Sequence, residues 1–111
     1  MKGNKPLTKE EFIQRIIRSK TLVIVEGFKD IAKLKKLGVS RVISLSRMPL
    51  CNFCEKLSQE QNEVILLMDN DIEGKKLYSK LKIELTRLRI KFNPKYQRML
   101  AQLKVSHVEG L

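Results

Sequence analysis

Residues 64–74 are VILLMDNDIEG, and this stretch decides the fold. The run Val64 to Met68 is entirely apolar, as expected of a short strand that is buried on both faces. Asp69, Asn70 and Asp71 follow at once. Beyond Gly74 the leucines recur at helical spacing, which predicts an amphipathic helix. We therefore predict a buried strand that leads through an acidic turn into a helix.

The same order of strand, turn and helix occurs earlier in the chain. Residues 21–25, TLVIV, predict a strand that ends at Glu26 and Gly27, and a helix over 28–37 follows. Two more strands are predicted at 39–45 and 90–92, and three more helices at 8–18, 49–57 and 94–103. Thr8 and Glu11 form a predicted capping box. This alternation predicts an α/β fold, a single domain over 1–111 with about four mainly parallel strands and helices on both faces.

The charge of the chain is strongly positive but unevenly distributed. The 111 residues have a net charge of +11, whereas residues 61–74 contain four carboxylates and neither Lys nor Arg. The overall excess predicts a polyanionic partner. The apolar runs 22–25 and 64–68 are too short to span a bilayer, which argues against a membrane protein. Because the N-terminus lacks the apolar stretch of a signal peptide, we expect a cytoplasmic protein.

Three carboxylates follow predicted strands. Glu26 ends the first strand, and Asp69 and Asp71 come directly after the most apolar one. Ligands of open α/β sheets bind at the carboxyl ends of the strands, so these side chains are expected in one pocket. Carboxylate oxygens suit Mg²⁺ or Mn²⁺, and Gly27 and Gly74 permit close approach of the backbone to a ligand at these turns. The alternative for Asp-Asn-Asp alone is ordinary turn chemistry.

Two of these segments resemble motifs of a known family. Residues 25–30, VEGFKD, resemble the VEGxxD motif of the Toprim domain, and residues 69–74, DNDIEG, resemble its DxDxxG motif. The domain occurs in topoisomerases, bacterial-type primases, nucleases and recombination proteins, and the resemblance covers about residues 20–90. Residues 47–50, RMPL, and the basic helical extension 91–111 are similar to small free-standing Toprim proteins of archaea and some bacteria, relatives of the ribonuclease that matures 5S ribosomal RNA.

The resemblance implies a role for each matching residue. Glu26 would be the catalytic glutamate, a general acid or base and a metal ligand, and Asp69 and Asp71 would coordinate Mg²⁺. Asp30 would orient its neighbours, with Gly27 and Gly74 at the turns. Met68 and Asn70 differ from the Thr and aromatic residue of the TDFD version of the motif, and both changes leave its carboxylates in place.

Four cations lie close in sequence to the motif ends, and they are candidates for binding the phosphates of RNA or DNA. They are Lys29, Arg47, Lys75 and Lys76. The alternative is a solvated helix face. Since aromatic residues make up 5% of the chain, we expect contacts to the phosphate backbone rather than base stacking.

The remaining candidates receive ordinary structural interpretations. His107, the chain's single histidine, is expected on the surface rather than as a catalytic base. Cys51 and Cys54 are expected to be buried or partly buried thiols, because a zinc site needs further ligands. Tyr78 and Tyr96 are expected in the core or on helix surfaces rather than as nucleophiles.

These patterns predict a Mg²⁺- or Mn²⁺-dependent nuclease, or a related phosphodiester-processing enzyme acting on RNA or DNA. The alternative is a non-catalytic nucleic-acid-binding module or an accessory subunit of an RNA-processing assembly. A receiver-like or haloacid-dehalogenase-like domain fits poorly, because those families place an aspartate where this chain has Glu26.

Overall fold

Helices and strands alternate along the chain in the computed structural model, which describes residues 7–45 and 47–111. The first six residues, part of the N-terminus analysed for a signal peptide, lie outside the described residues. The strands are β1 (Leu22–Val25), β2 (Val42–Ser44), β3 (Glu63–Leu66) and β4 (Lys91–Phe92). The helices are α1 (Lys9–Ser19), α2 (Phe28–Lys36), α3 (Leu50–Ser58), α4 (Ile72–Arg87) and α5 (Lys95–Gln102), followed by a 3-10 turn at Val108–Gly110.

The strands form one parallel sheet in the order β2-β1-β3-β4. Val23 is paired with Val42 on one side and with Ile65 on the other, so β1 and β3 lie at the centre. The chain crosses from β1 to one side to form β2 and then returns to the other side to form β3. The strand order therefore reverses between β1 and β3, and the carboxyl ends of these two strands border the crevice where such folds bind ligands.

Apolar side chains cover both faces of the sheet, as the α/β prediction requires. Val23 and Val25 of β1 pack with residues of α1, α2 and α5 on one face. Leu22 and Ile24 point to the other face and pack with α3 and α4. This alternation follows from the period of two along a strand. Both faces of β1 are thus buried by helices.

Local sequence explains where helices begin and end. The predicted capping box of α1 is confirmed, since Thr8 Oγ1 accepts a hydrogen bond from Glu11 N and Glu11 Oε1 accepts one from Thr8 N. Gly38, with φ of 104°, follows α2 in a conformation that favours glycine. The strands are shorter than predicted. For example, β3 ends at Leu66, whereas the apolar run that predicts it continues through Met68.

The cysteine prediction is correct for one thiol and wrong for the other. Cys54 lies on the inward face of α3, and burial raises its pKa to about 11. Cys51 is exposed, because the buried stripe of this helix consists of Phe53, Cys54 and Leu57. Tyr78 and Tyr96 are partly buried against the two apolar clusters, as predicted.

Within the described part of the chain, no helix has both the length and the apolar character that crossing a bilayer would require.

Candidate metal centre

Glu26 and Asp69 meet at the crevice between β1 and β3. Glu26 follows the last residue of β1, and Oε2 of its carboxylate accepts a 2.7 Å hydrogen bond from the backbone N–H of Asp69. A side chain of the first motif is therefore hydrogen-bonded to the backbone of the second motif. The sequence prediction that these motifs lie together at the carboxyl ends of the strands is confirmed in this respect.

The two aspartates each use one oxygen to fix the local backbone. Asp71 is the N-cap of α4, and its Oδ1 accepts a 2.7 Å hydrogen bond from Gly74 N. Asp69 Oδ1 accepts a 2.8 Å hydrogen bond from Val108 N. Turn chemistry, the alternative raised by the sequence, is therefore real at Asp71. The cap uses Oδ1 of Asp71 and leaves Oδ2 of Asp71 for another partner.

His107 adds a third candidate metal ligand to Asp69 and Asp71. Its Nε2 lies 3.2 Å from Asp71 Oδ2. One ligand atom from each of Asp69, Asp71 and His107 lies within 4.8 Å of the others, so these atoms fit a single divalent cation. The side chain of His107 is 54% exposed, which agrees with the predicted surface position. Its role beside the aspartates was missed, because nothing in its sequence spacing relates it to them.

Glu26 borders the same crevice from the side of α2. An open pocket of about 380 Å³ is lined by Glu26, Asp30, Asp69 and His107, together with Gly27, Phe28, Lys29 and Glu109. Glu26 is not one of the three residues whose ligand atoms cluster. Its assignment as a metal ligand therefore remains a prediction, although it lies beside the cluster.

Burial and mutual repulsion perturb two of these carboxyls. Partial burial raises the pKa of Glu26 above its ordinary value, the hydrogen bond from Asp69 N opposes that rise, and repulsion by neighbouring aspartates reinforces it. Burial likewise raises the pKa of Asp30, although the hydrogen bond from Gly27 N to Asp30 Oδ2 opposes it. A cation in the crevice would relieve this repulsion, which is the electrostatic reason to expect one.

Gly74 is required by the close approach of α4 to the Asp69 backbone. A Cβ atom at this position would lie 1.9 Å from the Asp69 carbonyl oxygen and 2.9 Å from Glu26 Oε2. Real Cβ atoms do not make such contacts. The Asp69 backbone therefore requires a glycine at position 74, and the predicted approach of this backbone to a ligand stays a prediction. At Gly27 a Cβ atom would meet nothing within 4 Å.

Gln97 is a second residue that the sequence analysis missed. Its side-chain amide accepts a 2.9 Å hydrogen bond from Met68 N and donates a 2.8 Å hydrogen bond to Met68 O. These bonds fix the residue immediately before Asp69. The sequence held no signal specific to Gln97, because Arg98 is also a polar residue next to the inward-facing residues of α5.

The four candidate cations are all exposed, and each follows the carboxyl end of a strand. Lys29 lines the pocket, in the first turn of α2. Lys75 and Lys76 lie in the early part of α4, which Asp71 caps. Arg47 lies in the connection that follows β2. In a parallel sheet these connections share one edge, so the four cations lie on the same side of the sheet as the carboxylates. Their contacts to phosphate remain a prediction.

The Toprim family model matches residues 21–95, which include both motifs and β1 to β4. The chain belongs to the Toprim family. The resemblance inferred from residues 25–30 and 69–74 is therefore confirmed, as is the four-stranded parallel α/β fold. The C-terminal segment that holds His107 lies beyond the matched Toprim region.

Several proteins are similar to this chain over most of its length. A UPF0292 protein of Pyrococcus horikoshii is 33% identical over 92% of this chain and 77% of its own length. A UPF0292 protein of Pyrococcus abyssi is 31% identical over the same shares of the two chains. A solved structure of a protein from Aquifex aeolicus superposes with a TM-score of 0.87 at 25% identity, and covers 96% of this chain and all of that one. The predicted similarity to small free-standing Toprim proteins is confirmed.

Proposed function

We propose that this Toprim protein is a Mg²⁺- or Mn²⁺-dependent enzyme that processes phosphodiester bonds of RNA or DNA, most simply as a nuclease. The observation that supports the proposal is the hydrogen bond from Asp69 N to Glu26 Oε2, which holds Glu26 beside the cluster of Asp69, Asp71 and His107 at the crevice between β1 and β3. Hydrolysis of a phosphodiester requires charge neutralisation at the scissile phosphate and an activated water. A divalent cation on these aspartates would supply the neutralisation.

Different residues would bind the cation, transfer a proton and bind the flanking phosphates. Asp69 and Asp71 would bind the cation through their Oδ2 atoms, while their Oδ1 atoms keep the backbone in place. Glu26 would transfer a proton, since its raised pKa brings it closer to the range in which a carboxyl both accepts and releases one. Lys29, Arg47, Lys75 and Lys76 would bind flanking phosphates and hold the strand across the crevice.

The test is cleavage of end-labelled single-stranded and double-stranded RNA and DNA with Mg²⁺, Mn²⁺ or EDTA. We expect the wild-type protein to cleave at least one substrate only when a divalent ion is present. Glu26→Gln should lower the rate by about a hundredfold or more, the usual scale for loss of a general acid–base group. Asp69→Asn should also lower the rate, because it removes a negative charge from the proposed cation site. Both variants keep a side-chain oxygen in place to accept the backbone hydrogen bonds.

Two outcomes contradict the proposal in different ways. Cleavage that survives both substitutions would mean that the activity resides elsewhere. Binding of nucleic acid without cleavage under any metal condition would instead favour the alternative, a non-catalytic binding module or an accessory subunit of an RNA-processing assembly. A matched substitution, Gln102→Ala on the exposed side of α5, controls for loss of activity through handling or folding.

A further inference from the structure

His107 reaches the candidate metal centre from beyond the matched Toprim region, which ends at residue 95. It does so because the C-terminal segment, defined here as residues 104–111, returns to the crevice after α5. The Ser106 carbonyl accepts a 2.7 Å hydrogen bond from Asn70 N, and Val108 N donates a 2.8 Å hydrogen bond to Asp69 Oδ1. His107 therefore lies between two residues whose backbones are bonded to the acidic loop.

The same segment is anchored in the core. Val108 is fully buried and Leu111 is 9% exposed, and both belong to the apolar cluster that includes residues of α1 and α5. The position of His107 is thus set by packing on one side and by backbone hydrogen bonds on the other.

The contacts of the two ring nitrogens of His107 are those expected of a metal-binding histidine. Nδ1 lies 3.0 Å from Ser106 Oγ, and Nε2 lies 3.2 Å from Asp71 Oδ2. In the tautomer in which Nδ1–H donates to the Ser106 hydroxyl, Nε2 carries the free lone pair at its 3.2 Å distance from Asp71 Oδ2. Histidines that bind metals commonly donate their other ring N–H to an oxygen in this way.

We propose that His107 is the third protein ligand of the cation at Asp69 and Asp71, and that its imidazole makes this centre prefer Co²⁺ or Mn²⁺ to Mg²⁺. The proposal rests on the metal site of the proposed function and specifies its ligand set. Mg²⁺ prefers oxygen ligands and keeps its waters, whereas imidazole nitrogen suits the transition metals. A site made of the two aspartates alone would favour the transition metals over Mg²⁺ less strongly.

The first experiment is calorimetric titration of the full chain with MgCl₂, MnCl₂ or CoCl₂. A Cys51→Ser background removes the exposed thiol that also binds soft metals. His107→Gln should lower affinity for Co²⁺ and Mn²⁺ by about tenfold or more, while affinity for Mg²⁺ changes by about twofold or less. The exposed position of His107 means that this variant should fold normally.

Glu109→Gln is the matched control, because Glu109 lines the same pocket in the same segment. Loss of its charge should weaken all three ions to a similar degree, as expected of a purely electrostatic effect. An equal loss for all three ions in His107→Gln would therefore contradict a ligand role. Unchanged affinities in that variant, or no binding by the wild-type protein, would also overturn the proposal.

The second experiment observes the imidazole directly. His107 is the chain's single histidine, so ¹⁵N-histidine labelling reports one ring. Titration with ZnCl₂ in the Cys51→Ser background should shift the Nε2 resonance and saturate at one equivalent. A ring unaffected by bound Zn²⁺ would refute ligation. Histidine-dependent metal binding without nucleic-acid cleavage would instead contradict the proposed enzymatic function and leave this inference standing.

Discussion

At the scale of single residues, the carboxylates of the centre serve the fold and the proposed chemistry with different oxygens. Asp69 Oδ1 and Asp71 Oδ1 each accept a backbone hydrogen bond. The asparagine carbonyl can accept the same bond, and asparagine is as good an N-cap as aspartate. Replacing either aspartate by asparagine therefore removes charge and metal affinity while preserving the local backbone. Such variants separate loss of function from loss of structure.

Gly74→Ala should destabilise the protein, although alanine usually favours helices over glycine by about 1 kcal/mol. The added methyl group would collide with the backbone of Asp69 at 1.9 Å, and a backbone atom cannot move aside cheaply. We expect the free energy of unfolding in urea to fall by about 1–3 kcal/mol, the usual range for an overpacked site. Metal affinity should fall as well, because the shift would displace Asp69.

Gly27→Ala is the control for this prediction. A methyl group there meets nothing within 4 Å, and the φ of −139° is open to any residue. Its cost should stay below about 1 kcal/mol, as for a change between glycine and alanine at an N-cap. Equal destabilisation by the two substitutions would contradict the explanation given for Gly74.

Glu26→Gln should stabilise the metal-free protein at neutral pH. The pKa of Glu26 is raised in the folded state, so its stabilising contribution is complete below the ordinary pKa and is lost as pH rises through the folded value. Glutamine does not titrate and can still accept the bond from Asp69 N. In EDTA, thermal melting should show a higher midpoint for the variant at about pH 7.5 and no difference near pH 4. A lower midpoint at both pH values would contradict the assignment.

The sequence predicted the positions of the candidate residues that belong to short motifs. Glu26, Asp69, Asp71 and Gly74 lie at strand ends or helix starts, where spacing alone predicts their positions. His107 could not be placed in this way, because its distance from Asp71 depends on how α5 and the C-terminal segment cross the sheet. A single histidine has no spacing pattern that would indicate such a contact.

At the scale of elements, α5 takes the place of a missing strand. The two residues of β4 pair with Glu63 and Val64, so among the described residues no strand flanks the later part of the β3 run on that side. Gln97 supplies the missing pairing through its amide to Met68. The apolar pattern predicted the length of the buried segment correctly but could not show that a side chain replaces the strand partner beyond Leu66.

Gln97→Ala should therefore affect both stability and the centre. It would leave the N–H and C=O of buried Met68 without their side-chain partner, at a cost of about 1–3 kcal/mol. Since Met68 precedes Asp69, we also expect weaker Mn²⁺ binding by calorimetry. Gln102→Ala, on the exposed part of the same helix, should change neither property. Normal Mn²⁺ affinity in a destabilised Gln97→Ala would limit this residue to a structural role.

At the scale of the whole molecule, the net charge of +11 is not confined to the surroundings of the crevice. Basic residues occupy the last turns of α1 to α4, among them Arg18, Lys36 and Lys56. Cations there interact favourably with the helix dipole. The helices α1, α2 and α3 end before the strands begin, so these charges lie at the edge opposite the crevice. The positive charge alone therefore does not indicate where nucleic acid would bind.

This distribution provides a matched test of the four candidate phosphate contacts. Replacing Lys29, Arg47, Lys75 and Lys76 together by alanine should weaken binding to single-stranded nucleic acid. The slope of log affinity against log salt should fall in magnitude by about 3, or roughly 0.7 per contact. The control removes the same charge at the opposite edge, from Arg18, Lys35, Lys36 and Lys56. A similar loss in both variants would indicate an effect of net charge alone.

We expect a divalent cation to bind between the ends of β1 and β3. Calorimetric titration of MnCl₂ into the wild-type protein and Asp71→Asn tests it most directly, because asparagine preserves the cap of α4 while removing one ligand charge. We expect a saturable binding event in the wild-type protein and a loss of about tenfold or more in affinity in the variant. Absence of binding in the wild-type protein, or equal affinity in the two proteins, would contradict the account.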